Sequence, residues 1–257
     1  MDFELTTAQQ EIQEKARQFA VAEVAPISRE ADENGKFPSH LVKRMGELGF
    51  LGGPVQPEYG GSGMDYVSYA LLCEELGRVD SSVRGFLTVH TSLVSLCIQD
   101  WGTEEQKRRY LPLLASGDWI GCYALTEPNA GSDAASIQTT AREDGNDYIL
   151  NGEKIWITNG PSANIAIVFA TRDTSLRSKG ICAFLVETNT PGFIREPMAG
   201  KELGHRAAEH AHIYFKNCRV PKSALLGEAG EGFKVAMSAL DRGRLGVAAG
   251  AVGVAQA

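Results

Sequence analysis

Residues 118–133 read DWIGCYALTEPNAGSD, and the chain changes character there. Upstream, apolar residues recur at helical spacing. Downstream, short β-rich runs are separated by turn residues. Within the stretch, the near-apolar Tyr123, Ala124 and Leu125 run into a Thr-Glu-Pro corner, which opens onto an amide, two small residues, a hydroxyl and a carboxylate. The crowding of so many small polar groups at a strand end is the question on which the rest of the reading turns.

Working back from that point, the first third is helical. In TTAQQEIQEKARQFAVAEVAP (6–26), Ile12, Ala16, Phe19, Ala20 and Val24 keep to one helix face; Thr6 or Thr7 caps its start and Pro26 marks its end. PSHLVKRMGELGF (38–50) reads as a second helix, capped by Ser39 and closed near Gly49. The five glycines and two prolines of GGPVQPEYGGSGMD (52–65) make a loop. Two apolar helices follow, in YVSYALLCEELGRVD (66–80) and VRGFLTVHTSLVSLCIQDWG (83–102). TEEQKRRYLPLLASG (103–117) opens on a threonine cap with acidic first-turn residues and is expected to stop at Pro112.

Working forward, DWIGCYALT, YILNGEKIWIT, NIAIVFATR, GICAFLVET and HAHIYFKNCRV are short strand patterns, with DGND (144–147) and NGEK (151–154) as tight turns. Helix returns in GEGFKVAMSALDRGRLGVAAGAVGVAQA (230–257), which has no capping glycine or loop at its end; a truncated chain is the expectation. The division is 1–116 helical, 117–226 β, and 227–257 the first helix of an incomplete third domain, a multidomain α+β chain.

Bulk properties narrow the function. The 257 residues are 43% hydrophobic and 22% charged, an ordinary composition for a packed protein. A net charge of -7 argues against a broad nucleic-acid footprint, and no apolar run reaches the ~20 residues of a membrane span. The acidic start MDFELTTAQQ is unlike a secretory signal or basic transit peptide, so a cytoplasmic setting follows, or a mitochondrial matrix one for a processed form. The five cysteines are dispersed, odd in number and without CxxC spacing, and read as buried thiols.

Two stretches carry candidate chemistry. In an extended strand Trp156 and Thr158 share a face, and an indole beside a hydroxyl suits a flat heteroaromatic ring. Gly131 and Ser132 offer close backbone approach and an anion-binding hydroxyl, as a pyrophosphate requires. The alternative is a core tryptophan and a plain turn. Asp241 and Arg244, three residues apart, share a helix face, and taken alone they read as a surface ion pair.

ALTEPNAGSDAAS and NGEKIWITNG resemble the signature and the second flavin strand of the acyl-CoA dehydrogenase family. PEYGGSGMD, WGTEEQKRRYLP, RVPKSALLGEAGEGF and LDRGRLGVAAG resemble further family segments in family order, so the likeness spans nearly the whole chain. It implies a helical N-terminal domain, a middle antiparallel β-barrel-like domain, a C-terminal four-helix domain, FAD, and oxidation of an acyl-CoA to the trans-2-enoyl-CoA, with electrons passed to an electron-transfer flavoprotein and a homotetramer at full length. It assigns Tyr123, Leu125, Thr126, Gly131, Ser132, Trp156, Ile157 and Thr158 to the cofactor, and Ser132, Asp241, Arg242, Gly243 and Arg244 to the substrate. No catalytic residue is expected within these residues: the base of most members lies in the C-terminal domain, and the position used by a minority matches Gly243, which has no side chain. An acyl-CoA oxidase and a non-catalytic module are the competing readings; the lack of long extensions favours the dehydrogenase. Short-chain members resemble LDRGRLGVAAG, whereas glutaryl-CoA dehydrogenases place an arginine like Arg84 for a distal carboxylate; the alternative there is a helix-surface arginine. His205, His210 and His212 sit where the family has no metal, and Arg206 matches a family arginine.

Overall fold

The computed structural model describes residues 4–198 and 202–257. Among them, α1 (Thr7–Phe19), α2 (Ala25–Asn34), α3 (His40–Glu47), α4 (Tyr66–Val79), α5 (Ser81–Thr88), α6 (Leu96–Trp101) and α7 (Glu104–Ala115) precede the first strand. Capping boxes open α1 (Thr6 with Gln9) and α7 (Thr103 with Gln106). Ser39 makes no side-chain cap to α3, contrary to the sequence reading. Pro26 does not end the first helix. A π-helical segment, Ala20–Val24, carries α1 into α2: the Ala25 N–H reaches back five residues to Ala20 O, and the proline falls in a first turn, where its missing N–H breaks no ladder. Pro112 does not end α7 either. It lies on the exposed side, so the Arg108 carbonyl it leaves unbonded is open to water, while Leu111, Leu114 and Ala115 bury the other side.

The strands are β1 (Gly121–Ala124), β2 (Thr140–Asp144), β3 (Asp147–Thr158), β4 (Ile165–Thr171), β5 (Ile181–Glu187), β6 (Phe193–Met198), β7 (His210–Pro221) and β8 (Leu225–Leu226). They form one sheet in the order β6-β7-β3-β2-β4-β5-β8, with β1 on β4. The sheet is mixed rather than antiparallel, since both β1 and β2 run parallel to β4. Residues 144–147 make the expected hairpin turn, with Gly145 at φ 64°. NGEK is not a turn; it lies within β3, where Gly152 (φ 143°) forms a bulge against β7 and passes so close to Thr139 that a Cβ would lie 2.6 Å from its Cα.

Both faces of the sheet centre are buried. Ile165, Ile167 and Phe169 join Ile181, Leu185 and Tyr123 in the core beneath the helices, while Ala166, Val168, Phe184, Val186 and Leu150 fill the opposite face. Helix α8 (Gly232–Gln256) continues the first of these cores through Val235, Ala236 and Ala239, and Tyr123 Oη donates to Ala236 O at 3.0 Å. Farther along, α8 lies against α4 almost backbone to backbone: a Cβ at Gly253 would sit 2.0 Å from Glu74 O, and one at Gly77 would sit 2.6 Å from Gly250 O. Its buried face therefore has a partner, while Val247, Val252 and Val254 face outward. No helix among the described residues is long and apolar enough to cross a membrane, and all five cysteines are buried free thiols.

His90 joins the two halves. Fully buried, it donates from Nε2 to Leu114 O (2.9 Å) and accepts the Gly121 N–H at Nδ1 (3.2 Å), so it is neutral and its tautomer is set. Burial pushes its pKa down to about 4. The unfolded chain takes up this proton near pH 6.5 and the folded chain near 4, so stability is lost as pH falls through that window. Between pH 7 and 4.5 this one group should cost about 2–3 kcal/mol. Urea midpoints across that range should show the loss, and His90→Gln, which can keep both hydrogen bonds without titrating, should remove about that much of it.

Candidate cofactor and substrate site

The site grows from the corner at the end of β1. The β1–β4 ladder stops at Ala124, leaving the amides of Leu125 and Thr126 beyond it. Glu127 and Ala130 then exchange backbone hydrogen bonds at 3.1 Å, closing a tight turn before Gly131. The turn is held from below. The buried Glu127 carboxylate accepts from Gln138 N (2.5 Å), Thr139 N (3.0 Å) and Lys154 Nζ (2.7 Å), and Lys154 Nζ also donates to Leu125 O (3.1 Å). Lys154 is fully buried; burial pushes its pKa down to about 8 against the pull of Glu127. Burial raises Glu127, but Lys154 and the two amides outweigh it and hold the carboxyl below its usual range.

Just past Lys154 the pairing of β3 with β7 slips, and Trp156 takes a left-handed backbone (φ 59°) with 46% of its surface exposed. Alternation therefore breaks between Lys154 and Trp156 and resumes after it. The bulge turns Trp156 and Thr158 to the same cavity, while Ile157 is buried in the sheet core and does not reach it. That cavity, about 570 Å³, is lined by Tyr123, Leu125, Thr126, Gly131, Ser132, Trp156 and Thr158. Helical residues complete the wall: Val89 and Leu93 from the π-helical segment after α5, and Phe233, Met237, Leu240 and Arg244 from α8. Its size is that of a small-molecule site.

A second cavity of about 480 Å³ shares Val89, Leu93, Thr158, Leu240 and Arg244 with the first and extends to Arg84, Thr88, His205 and Gly243. Arg84 is not in open solvent: its Nε is buried without a hydrogen-bond partner and passes so near Gly250 that a Cβ there would lie 2.7 Å away. Burial lowers the Arg84 pKa. Only part of the LDRGR segment reaches either cavity. Gly243 and Arg244 do, but Arg242 pairs with Asp100 on α6, and Asp241 is exposed and pairs with Arg244.

The histidines have separate partners. His205 Nδ1 meets Ser81 Oγ at 3.0 Å, His210 Nδ1 meets Thr158 Oγ1 at 3.1 Å, and His212 Nε2 meets Glu153 at 2.7 Å. Among the described residues no group of three or more His, Cys, Asp or Glu side chains could hold a metal ion. Arg206 forms a forked ion pair with Asp32 of α2, at 3.0 and 2.6 Å.

The sequence reading missed the Glu127–Lys154 pair, the α8 wall and the His210 contact. A lysine amid the apolar residues of YILNGEKIWIT was the available signal for the first.

Residues 6–118 match the N-terminal domain model of acyl-CoA dehydrogenase, and residues 122–218 match its middle domain. The chain belongs to the acyl-CoA dehydrogenase family. A short-chain specific acyl-CoA dehydrogenase of Clostridium acetobutylicum is 44% identical over 256 residues, covering 100% of this chain and 67% of that protein. The solved butyryl-CoA dehydrogenase of Megasphaera elsdenii superposes with a TM-score of 0.96 at 41% identity, covering 100% of this chain and 68% of that one. A glutaryl-CoA dehydrogenase of Mycobacterium smegmatis, solved in complex with FADH2, superposes with a TM-score of 0.91 at 42% identity over 97% of this chain and 62% of its own. The chain spans 61–67% of the length of the short-chain family members of Clostridium and Rattus norvegicus.

The buried pair gives a direct test of what holds the site. Lys154→Met strands the Glu127 carboxylate and should cost about 3–5 kcal/mol. Adding Glu127→Gln should recover most of that. Denaturant midpoints of the two variants check it; a single variant as stable as the parent would show that the pair does not hold the turn.

Proposed function

We propose that this chain carries the flavin- and acyl-binding part of an FAD-dependent acyl-CoA dehydrogenase, which converts an acyl-CoA into its trans-2-enoyl-CoA. The observation that carries the reading is Trp156: a large aromatic held in a left-handed backbone, half exposed, over a cavity shared with two threonines. Such strain costs on the order of 1–3 kcal/mol and is found at sites that use it. Gly131 lines the same cavity and is exposed, so its backbone is open to a ligand.

When bound, FAD would supply the two-electron acceptor for the β-hydride of the acyl chain. Trp156 would cover one face of its ring system, with Thr158 hydrogen-bonding the reactive nitrogen. Tyr123, Leu125 and Thr126 would border the pyrimidine side, where the amides beyond the β1 ladder would donate to developing negative charge. Gly131 and Ser132 would receive the phosphate. Asp133 also lines the cavity, but Ser136 donates to it and Arg177 holds it in a forked pair at 2.9 Å, and both lower its pKa and so make it a weaker base. The α-proton would therefore be removed by a carboxylate outside these residues. The family resemblance also supports an electron-transfer flavoprotein as acceptor and a homotetramer as the assembly.

Arg84 supports a substrate with a distal carboxylate. Its side chain lines the second cavity, and a guanidinium is suited to forked carboxylate recognition. The M. smegmatis glutaryl-CoA dehydrogenase is a family member of that class.

Two measurements test these assignments. Purified protein titrated with FAD should retain visible flavin, and Thr126→Val with Thr158→Val should weaken retention; unchanged retention in the double variant would reject the site. In protein extended through the family's C-terminal domain, Arg84→Ala should lower glutaryl-CoA turnover more than butyryl-CoA turnover, by about 2–5 kcal/mol. Equal losses on the two substrates would reject the dicarboxylic reading.

A further inference from the structure

Behind the cavity wall, His210 stands directly across the β3–β7 ladder from Thr158, and its Nδ1 lies 3.1 Å from the Thr158 hydroxyl. The ring does not line the cavity, so it can act there only through Thr158. It is fixed on two further sides. The Trp156 indole meets it edge to face at 6.1 Å, and the His205 ring lies near parallel at 6.5 Å. Burial lowers its pKa and Glu202 pulls it back only partly; His205, held near 4 by burial and by Arg84, stays uncharged beside it. Near neutral pH His210 is therefore a neutral imidazole with both tautomers open to it.

A hydroxyl has one hydrogen, so its partner decides which way that hydrogen points. If His210 carries its proton on Nδ1, it donates to Thr158 Oγ1, and the threonine hydrogen is free to donate into the cavity. If the proton is on Nε2, Nδ1 is a bare acceptor that takes the threonine hydrogen, and the lone pairs of Oγ1 face the cavity instead. We propose that His210 is a positioning residue that gives the Thr158 hydroxyl two alternative settings, donor into the cavity and acceptor from it. Two settings at one point match a ring nitrogen that is bare in one redox state and carries hydrogen in the other, as the central nitrogen of a flavin does. The inference rests on the FAD reading above. The exchange moves one proton between the two imidazole nitrogens through solvent and leaves the protonation count unchanged.

The test is nitrogen NMR of 15N-histidine-labelled protein, loaded with FAD and then reduced with dithionite, with His210 assigned by His210→Gln. The expected result is Nδ1 protonated with oxidised FAD and Nε2 protonated after reduction, with the change lost in Thr158→Val protein that still retains flavin. In parallel, His210→Leu should weaken oxidised FAD binding about fivefold, the equivalent of one ~1 kcal/mol hydrogen bond. His210→Gln, whose amide can present either a donor or an acceptor, should restore it. Flavin retained with one unchanging His210 tautomer would overturn the proposal and leave the cofactor assignment standing. Protein that retains no flavin would overturn the cofactor assignment and the proposal with it.

Discussion

A lysine and a glutamate buried under a turn set the geometry of this site. Taking Lys154 and Glu127 out of water costs several kcal/mol per ion, and their mutual attraction repays that only when the remaining hydrogen-bonding capacity is filled. Here it is filled from four directions: the amides of Gln138 and Thr139, the carbonyl of Leu125, and the partner itself. Each of these contacts fixes a different piece of backbone. The end of β1, the start of β2 and the middle of β3 meet at one point, and Ile155 N adds a bond to Thr126 O at 2.9 Å. An apolar pair of the same volume would stabilise the core as well, but it would not dictate where three backbones run.

From that point the strain at Trp156 becomes affordable. With Lys154 tied below and Ile157 buried in the sheet core, the two residues between them must take up the slip in register, and the left-handed turn falls on Trp156. Asn159, also left-handed at φ 65°, continues the distortion and anchors it by donating to Phe86 O and Gly121 O. The site is thus held on both sides of the point where it is strained. On its open side α8 supplies the wall, and its approach depends on glycine. Gly250 and Gly253 let its backbone touch α4, which in turn confines Arg84 between α5 and α8 and leaves its Nε dry and unpaired. An unmade hydrogen bond on a buried guanidinium is costly, and burial lowers the Arg84 pKa accordingly.

These arrangements explain what could be read in the chain and what could not. Threonine caps, the short β-rich run of residues 165–171 and the change of pattern after Gly117 are local features, and local physics is enough to see them. Pro26 and Pro112 were misleading because a proline's missing N–H ends a helix only where nothing else absorbs it. A π turn absorbs the first and exposure to water the second. Trp156 and Thr158 reach a common cavity, as a period of two predicts, but the bulge just before them, which turns Trp156 away from the face of Lys154, is not contained in that period. The register slip depends on β7, which lies more than fifty residues downstream in the sequence. Ile157, between them, goes to the core by ordinary alternation.

The LDRGR segment shows the limit of periodicity most clearly. Spacing tells that Asp241 and Arg244 share a face, but it does not tell which way that face points. The phase is set by the residues that pack: Gly243, Gly246, Gly250 and Gly253 fall three or four apart, and each is buried. Once those glycines are turned inward, Arg242 is left beside α6, where Asp100 takes it, and Asp241 projects to solvent with only Arg244 for company. A stripe of glycines in a helix is thus a packing face as surely as a stripe of leucines. What it contributes is closeness rather than buried area, and that closeness brings Gly243 to the cavity lining without a side chain to fill it. There is little room to spare: an added Cβ would lie 2.8 Å from the Leu93 side chain. A side chain here could enter only if Leu93 shifted, so Gly243 lets α8 and the π-helical segment that carries Leu93 close on each other.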